Sequence, residues 1–132
     1  FPELSDKINE FTREDSLTAP EESETTKQPE AISVAALIGR SSTGSTDMSV
    51  ARFTIQPLSA SPNMSLTSAS EIILVTKGSG SATLGEATHE LKPGSALQFP
   101  HGVPHSVIAS DLGLEFYAIC SPAYDPNDVT YH

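Results

Sequence analysis

Residues 71–105 most constrain what this chain can fold into. They read EIILVTKGSGSATLGEATHELKPGSALQFPHGVPH. An apolar run over 72–75 meets Gly78-Ser79-Gly80. A second strand follows and ends at Pro93-Gly94, and a third run over 96–99 closes on Pro100-His101-Gly102-Val103-Pro104-His105. Short apolar runs punctuated by Gly and Pro-Gly turns pair antiparallel in a barrel or a sandwich. The same stretch sets a carboxylate, Glu71, and an imidazole, His105, at the two ends of one compact β unit.

The flanking sequence continues the β texture. Residues 32–38 read as a strand and 39–47 as a Ser/Thr/Gly loop. Residues 49–56 alternate, with Ala51, Phe53 and Ile55 on one face and Arg52, Thr54 and Gln56 on the other. A loop rich in Ser, Ala and Pro is expected over 57–70. Beyond His105, strands are expected over 106–109 and 114–120, with a turn at Ser110-Asp111 and Gly113 and an irregular tail after Pro122. About eight strands and almost no helix point to a jelly roll or β-sandwich.

Residues 1–30 differ. They hold nine acids against three bases, a net of −6 out of the chain's −10. Leu4, Ile8 and Phe11 recur at i, i+4 and i+7, so 4–11 is a candidate helix. Residues 13–30 contain little to bury, and residues 1–30 together read as an acidic N-terminal arm or linker, with residues 31–132 as the barrel. The apolar side chains Phe1, Leu4, Ile8 and Phe11 are expected to dock, on their own barrel or on a partner subunit. A chain of 132 residues is one domain by default. Its negative charge disfavours nucleic acid and anionic membrane as partners. A single cysteine, Cys120, excludes an internal disulfide and a multi-cysteine metal site. No apolar run reaches the roughly 20 residues of a membrane helix, and no signal peptide is visible. The chain begins at Phe1 rather than Met, which reads as processing or trimming, and a cytoplasmic location is the default expectation.

Two motifs resemble those of the cupin superfamily. Glu71, six residues and Gly78 match the end of the first. Gly94, five residues, Pro100-x-Gly102, two residues and His105 match the second with every spacing kept. The strand at 49–57 and the segment Ser121-Pro122-Ala123-Tyr124-Asp125-Pro126 also look like small single-domain cupins. The resemblance covers roughly 31–128. It implies a double-stranded β-helix, two sheets curled into a jelly-roll barrel with one open mouth. In many cupins it also implies a divalent metal held by an His-x-His pair, the Glu of the first motif and the His of the second. Here Glu71 and His105 are present. The His-x-His positions fall on Met64 and Leu66, or one residue later on Ser65 and Thr67.

One carboxylate and one imidazole make a poor site for a first-row divalent ion, which usually takes three or more protein ligands. No cofactor is therefore expected, and a metal would require an atypical site recruiting His101 or the Met64 sulfur. Without a metal, Glu71 and His105 are candidate catalytic residues, a buried carboxyl and an imidazole suited to general acid–base work. The alternative is a hydrogen-bonded remnant that satisfies polar atoms inside the barrel. Phe53, Met64, Leu66, Ile73, Phe99 and Tyr117 are the candidate lining of a mostly apolar ligand cavity. Parity places Ile73 and Val75 with Glu71 and leaves open whether Phe116 or Tyr117 faces inward. Three functions stay open: a small-molecule lyase, isomerase or cyclase, a non-catalytic small-molecule binder, and a metal-dependent enzyme with an atypical site. Exposed sheet edges and an apolar outer sheet face suggest a homodimer.

Overall fold

The computed structural model describes residues 31–132. The candidate helix at 4–11 and the acidic arm lie outside the described residues. Among the described residues there are eight strands: β1 (Ile32–Ile38), β2 (Ser49–Ile55), β3 (Met64–Leu66), β4 (Ser70–Leu84), β5 (Ala87–Leu91), β6 (Ala96–Phe99), β7 (His105–Ser121) and β8 (Val129–Tyr131). A 3₁₀ turn, Pro126–Asp128, precedes β8. Among the described residues no helix is long and apolar enough to cross a membrane. The architecture is the jelly-roll barrel that the motifs imply.

Two long strands organise it. β4 and β7 pair antiparallel from Ser70↔Ser121 to Leu84↔His105. The first half of β4 also pairs with β6, and the second half with β5. The C-terminal half of β7 pairs with β2, which pairs with β1, while its N-terminal end meets β3, which pairs with β8. The β4–β7 ladder therefore belongs to two sheets. One is β1-β2-β7-β4-β6 and the other β8-β3-β7-β4-β5. Both long strands bend together where the register shifts, between Val75 and Lys77 and between Gly78 and Gly80.

This corrects two sequence expectations. Gly78-Ser79-Gly80 is not a turn between strands but a bend inside the 15-residue β4. Ser110 to Gly113 is likewise a bend inside the 17-residue β7. The glycines serve close approach as well as conformation. Gly78 has φ 77°, and a Cβ there would collide with the Gly113 carbonyl. A Cβ on Gly80 would collide with the Ile108 carbonyl. Two short strands were also missed. β3 lies in the expected 57–70 loop and β8 in the expected irregular tail, and both are only three residues long. Runs that short carry no periodicity to read.

The interior follows strand parity. Ile55, Ile73, Val75, Phe99, Val107, Leu114 and Phe116 form its main cluster. Cross-strand pairing stacks it in rows. Ile55 and Leu114 lie opposite each other at the bend, Phe53 and Phe116 pair beside Val75, and Ala51, Ala118, Ile73 and Leu97 form the next row. The last row, at the mouth, is Ser49, Cys120, Glu71 and Phe99. We expect Gly78→Ala to lower unfolding free energy by at least about 1–2 kcal/mol, the cost of a left-handed side-chain residue alone, with the collision at Gly113 adding to it. Urea denaturation measures this, and an unchanged midpoint would contradict the tight bend.

Candidate active site

Glu71 and His105 arrive at the mouth from different sheets. Glu71 is the second residue of β4, and the carboxylate of Asp128 holds the chain just before it by accepting from the Ser68 and Ala69 N–H groups at 2.9–3.1 Å. His105 opens β7 directly after the Pro-Gly loop. Gly102 takes φ 76°, and no atom lies near its Cβ position, so this glycine is needed for conformation rather than space. Its N–H donates to the Leu66 carbonyl at 2.7 Å, tying the loop to β3. The turn brings the Val103 carbonyl to 3.2 Å from His105 Nδ1. A carbonyl can only accept, so Nδ1 carries the proton and Nε2 holds the free lone pair.

That lone pair faces the carboxyl. His105 Nε2 lies 3.7 Å from Glu71 Oε1, and the residues are 5% and 8% exposed. Phe99 stacks on the imidazole, with centroids 4.1 Å apart and planes 10° from parallel. Burial pushes the Glu71 carboxyl up from 4.5 to about 7. Burial also lowers His105, against an opposing effect of the Val103 hydrogen bond. Both shifts favour neutral forms, the reverse of what a formed ion pair would do. Just below pH 7 the contact therefore joins a carboxylic acid and a neutral ring. At 3.7 Å it is too long for a hydrogen bond.

The surroundings are apolar with a polar margin. Cys120 stands opposite Glu71, and its thiol is pushed up to about 12 by burial first, then by the Glu71 charge, so it stays protonated. The Ser49 hydroxyl reaches that thiol and accepts from the Tyr124 N–H at 2.8 Å. On the facing sheet, Met64 pairs with both His105 and Tyr131. Tyr124 and Tyr131 are 41% and 67% exposed at this rim. Burial raises the Tyr124 phenol, with Tyr131, Cys120 and Glu71 adding to the effect.

The sequence-derived lining divides accordingly. Met64 and Phe99 stand beside the pair. Ile73, fully buried, forms the layer under Glu71. Leu66 packs with Ala69 and Cys120. Phe53 faces inward but stacks on Phe116, beside Val75 and four residues down β4 from Glu71. Tyr117 requires a correction: it pairs with Arg52 and Leu74, so it lies on the outer face, and Phe116 is the inward neighbour. Ser49, Tyr124 and Tyr131 were missed. Only Ser49 left a signal, as it continues the alternation of Ala51, Phe53 and Ile55. Two grooves of about 490 and 240 Å³ open elsewhere, and neither is lined by Glu71 or His105.

A family model described as a cupin domain matches residues 51–120. The chain belongs to the cupin family. Solved cupin-fold structures align over most of it. KdgF from a Halomonas species is 18% identical, with 76% of this chain and 86% of that one covered at a TM-score of 0.66. A Streptomyces nucleoside dehydratase solved with uridine is 13% identical, with 80% and 81% covered at 0.68. Oxalate decarboxylase from Bacillus subtilis is 17% identical at 0.72, with 83% of this cupin covering 30% of that longer chain. Comparison with curated proteins returns no match.

The metal set of the family does not fit this cupin. Among the described residues no group of three or more His, Cys, Asp or Glu side chains could hold an ion. Met64 occupies the position facing His105 where a nitrogen donor is wanted. His101 and His89 are exposed, and His132 Nε2 lies 2.8 Å from the Ser65 hydroxyl. The atypical site through His101 therefore gains no support. Elemental analysis of protein purified without a His tag is expected to find no stoichiometric transition metal.

The shifted carboxyl also has a consequence for stability. Raised in the folded state, it stabilises the fold fully below about 4.5, and that contribution is lost as pH rises through about 7. Moving a carboxyl from 4.5 to about 7 corresponds to roughly 3 kcal/mol. Glu71→Gln does not titrate. Relative to the parent it should gain on the order of 3 kcal/mol between pH 4.5 and pH 8 in urea denaturation. His105, lowered and so acting in the opposite sense, is present in both proteins and drops out of the difference. A pH-independent difference would mean that Glu71 is charged in the fold.

Proposed function

We propose that the barrel binds a small organic molecule at its mouth and that Glu71 and His105 act on it as an acid–base pair. The observation that carries this reading is the unbonded 3.7 Å approach of two buried groups whose protonation states are complementary. Glu71, protonated below about 7, has a proton to give, and His105 Nε2 has a lone pair to receive one. A molecule seated above them would lose a proton from one atom to His105. It would receive one from Glu71 on a leaving hydroxyl or on another carbon. Loss of water completes an elimination, and return of the proton at a new position completes an isomerisation. The fold neighbour described as a nucleoside dehydratase supports the first of these by analogy of fold alone.

A second reading, a non-catalytic binder, is favoured by Met64. Its flexible thioether beside His105 adds apolar surface where a metal-dependent cupin would hold a ligand.

A screen of nucleosides, beginning with uridine, and of small hydroxy acids by thermal shift and product analysis separates the two. For an enzyme, the rate should follow a bell in pH. The alkaline limb lies near 7, where Glu71 loses its proton, and the acid limb below 6.5, where His105 gains one. Glu71→Gln and His105→Ala should each lower turnover by about 10²–10⁴-fold while the ligand-induced shift in Tm persists. Ligand stabilisation with no product in the parent protein would sink the catalytic reading and leave the binder.

A further inference from the structure

Cross-strand neighbours share one face of a sheet. On the sheet containing β8, His105, Met64 and Tyr131 are successive neighbours in one row, so Tyr131 shares the inward face with His105. Val129, two residues earlier on β8, packs against Leu66, Ala69 and Cys120, which agrees with that parity. On the other sheet the row from Glu71 passes Cys120 and reaches Ser49. The Ser49 hydroxyl accepts from the Tyr124 N–H. Tyr131 thus ends one row and Tyr124 is bonded to the end of the other. Each row starts at one member of the acid–base pair and crosses two strand spacings, about 10 Å. The two ends lie near each other. After burial, the Tyr131 charge is the strongest influence raising the Tyr124 phenol, ahead of Cys120 and Glu71.

Both tyrosines are pinned by their backbone yet present their rings to solvent. Ala123, just before Tyr124, is buried and donates its N–H to the Thr46 carbonyl at 3.0 Å. Asp125, just after it, caps the 3₁₀ turn by accepting from the Asn127 N–H at 2.9 Å. Beyond Tyr131, the His132 N–H donates to the Asn63 carbonyl at 2.9 Å. Among the described residues neither phenol has a hydrogen-bond partner. Two rings held on ordered backbone but left in water have apolar faces to cover and hydroxyls to offer. Met64 lies between them and His105 as a soft, adaptable floor.

We propose that Tyr124 and Tyr131 stack on a planar unsaturated ring at the mouth, so that the ligand is an aromatic or heteroaromatic molecule bearing a hydroxyl or carbonyl group. This rests on the small-molecule site proposed above and narrows it. The ring lies over Met64, with one side against the tyrosines and the other within reach of Glu71 and His105. Stacking on one aromatic ring is worth a few-fold in affinity beyond area burial, and on two about tenfold. A saturated ring with the same substituents forgoes that gain.

The test uses the full chain with labelled methionine methyls, read by NMR. The probes are three neutral pairs: uridine with dihydrouridine, benzamide with cyclohexanecarboxamide, and phenol with cyclohexanol. At least one planar member is expected to shift the Met64 methyl and to bind about tenfold more tightly than its saturated partner. Tyr124→Leu and Tyr131→Leu should each reduce that preference by about threefold and together abolish it. Neither belongs to the buried core, so the barrel is not at stake. Tyr117→Leu, on the outer face, should leave the preference unchanged. Glu71→Gln should also keep it, because that change removes a proton and not a stacking face. Equal affinities within every pair, a preference that survives the double substitution, an equal loss in Tyr117→Leu, or no Met64 shift with any planar probe at about 10 mM overturns the proposal. A preserved preference without product counts against the acid–base reading alone.

Discussion

The continuous pairing of β4 with β7 is the constraint from which the rest of the barrel follows. Each strand descends one sheet, bends at the closed end and returns in the other. Because they bend together, the start of β4 and the start of β7 both finish at the mouth, although they lie 35 residues apart in sequence from Ser70 to His105. The bend requires backbones to touch. Gly78 meets the Gly113 carbonyl, and Gly80 meets that of Ile108, at distances no side-chain carbon tolerates. Four short strands then attach to a ladder that already determines where they can pair.

That geometry explains why two ionisable groups sit in an apolar interior. Glu71 occupies an inward parity position in line with Ile73 and Val75, between Cys120 and Phe99. His105 occupies the equivalent position on the facing sheet, stacked on Phe99. Buried as they are, the carboxyl is least costly as the acid and the ring is least costly uncharged. Met64 beside His105 and Leu66 packed with Ala69 and Cys120 extend the apolar wall around the two groups.

Much of this was legible in the residues. The alternation along β2, the spacing from Gly94 to His105 and the run from Glu71 to Val75 identified the barrel, the inward face of β4 and the two polar residues at the mouth. The 3.7 Å approach was not legible, because it depends on how two sheets close over each other. Nor were Tyr124 and Tyr131, which reach the rim through a backbone bond to Ser49 and a three-residue strand.

Strand character and side-chain alternation are local properties with a period of two residues, so the sequence by itself determined them along with the Pro-x-Gly turn that aims His105. Which parity faces inward is not local. Phe116 and Tyr117 are both aromatic, and only the register with Val75 and Leu74 sends the first into the core and the second outward. The fate of the glycines is likewise non-local. A Gly-x-Gly can reverse a chain or let it pass close to another, and only the presence of β7 against β4 selected the bend. Tertiary pairing made those decisions because each depends on the space left by a neighbouring strand, which no single segment encodes.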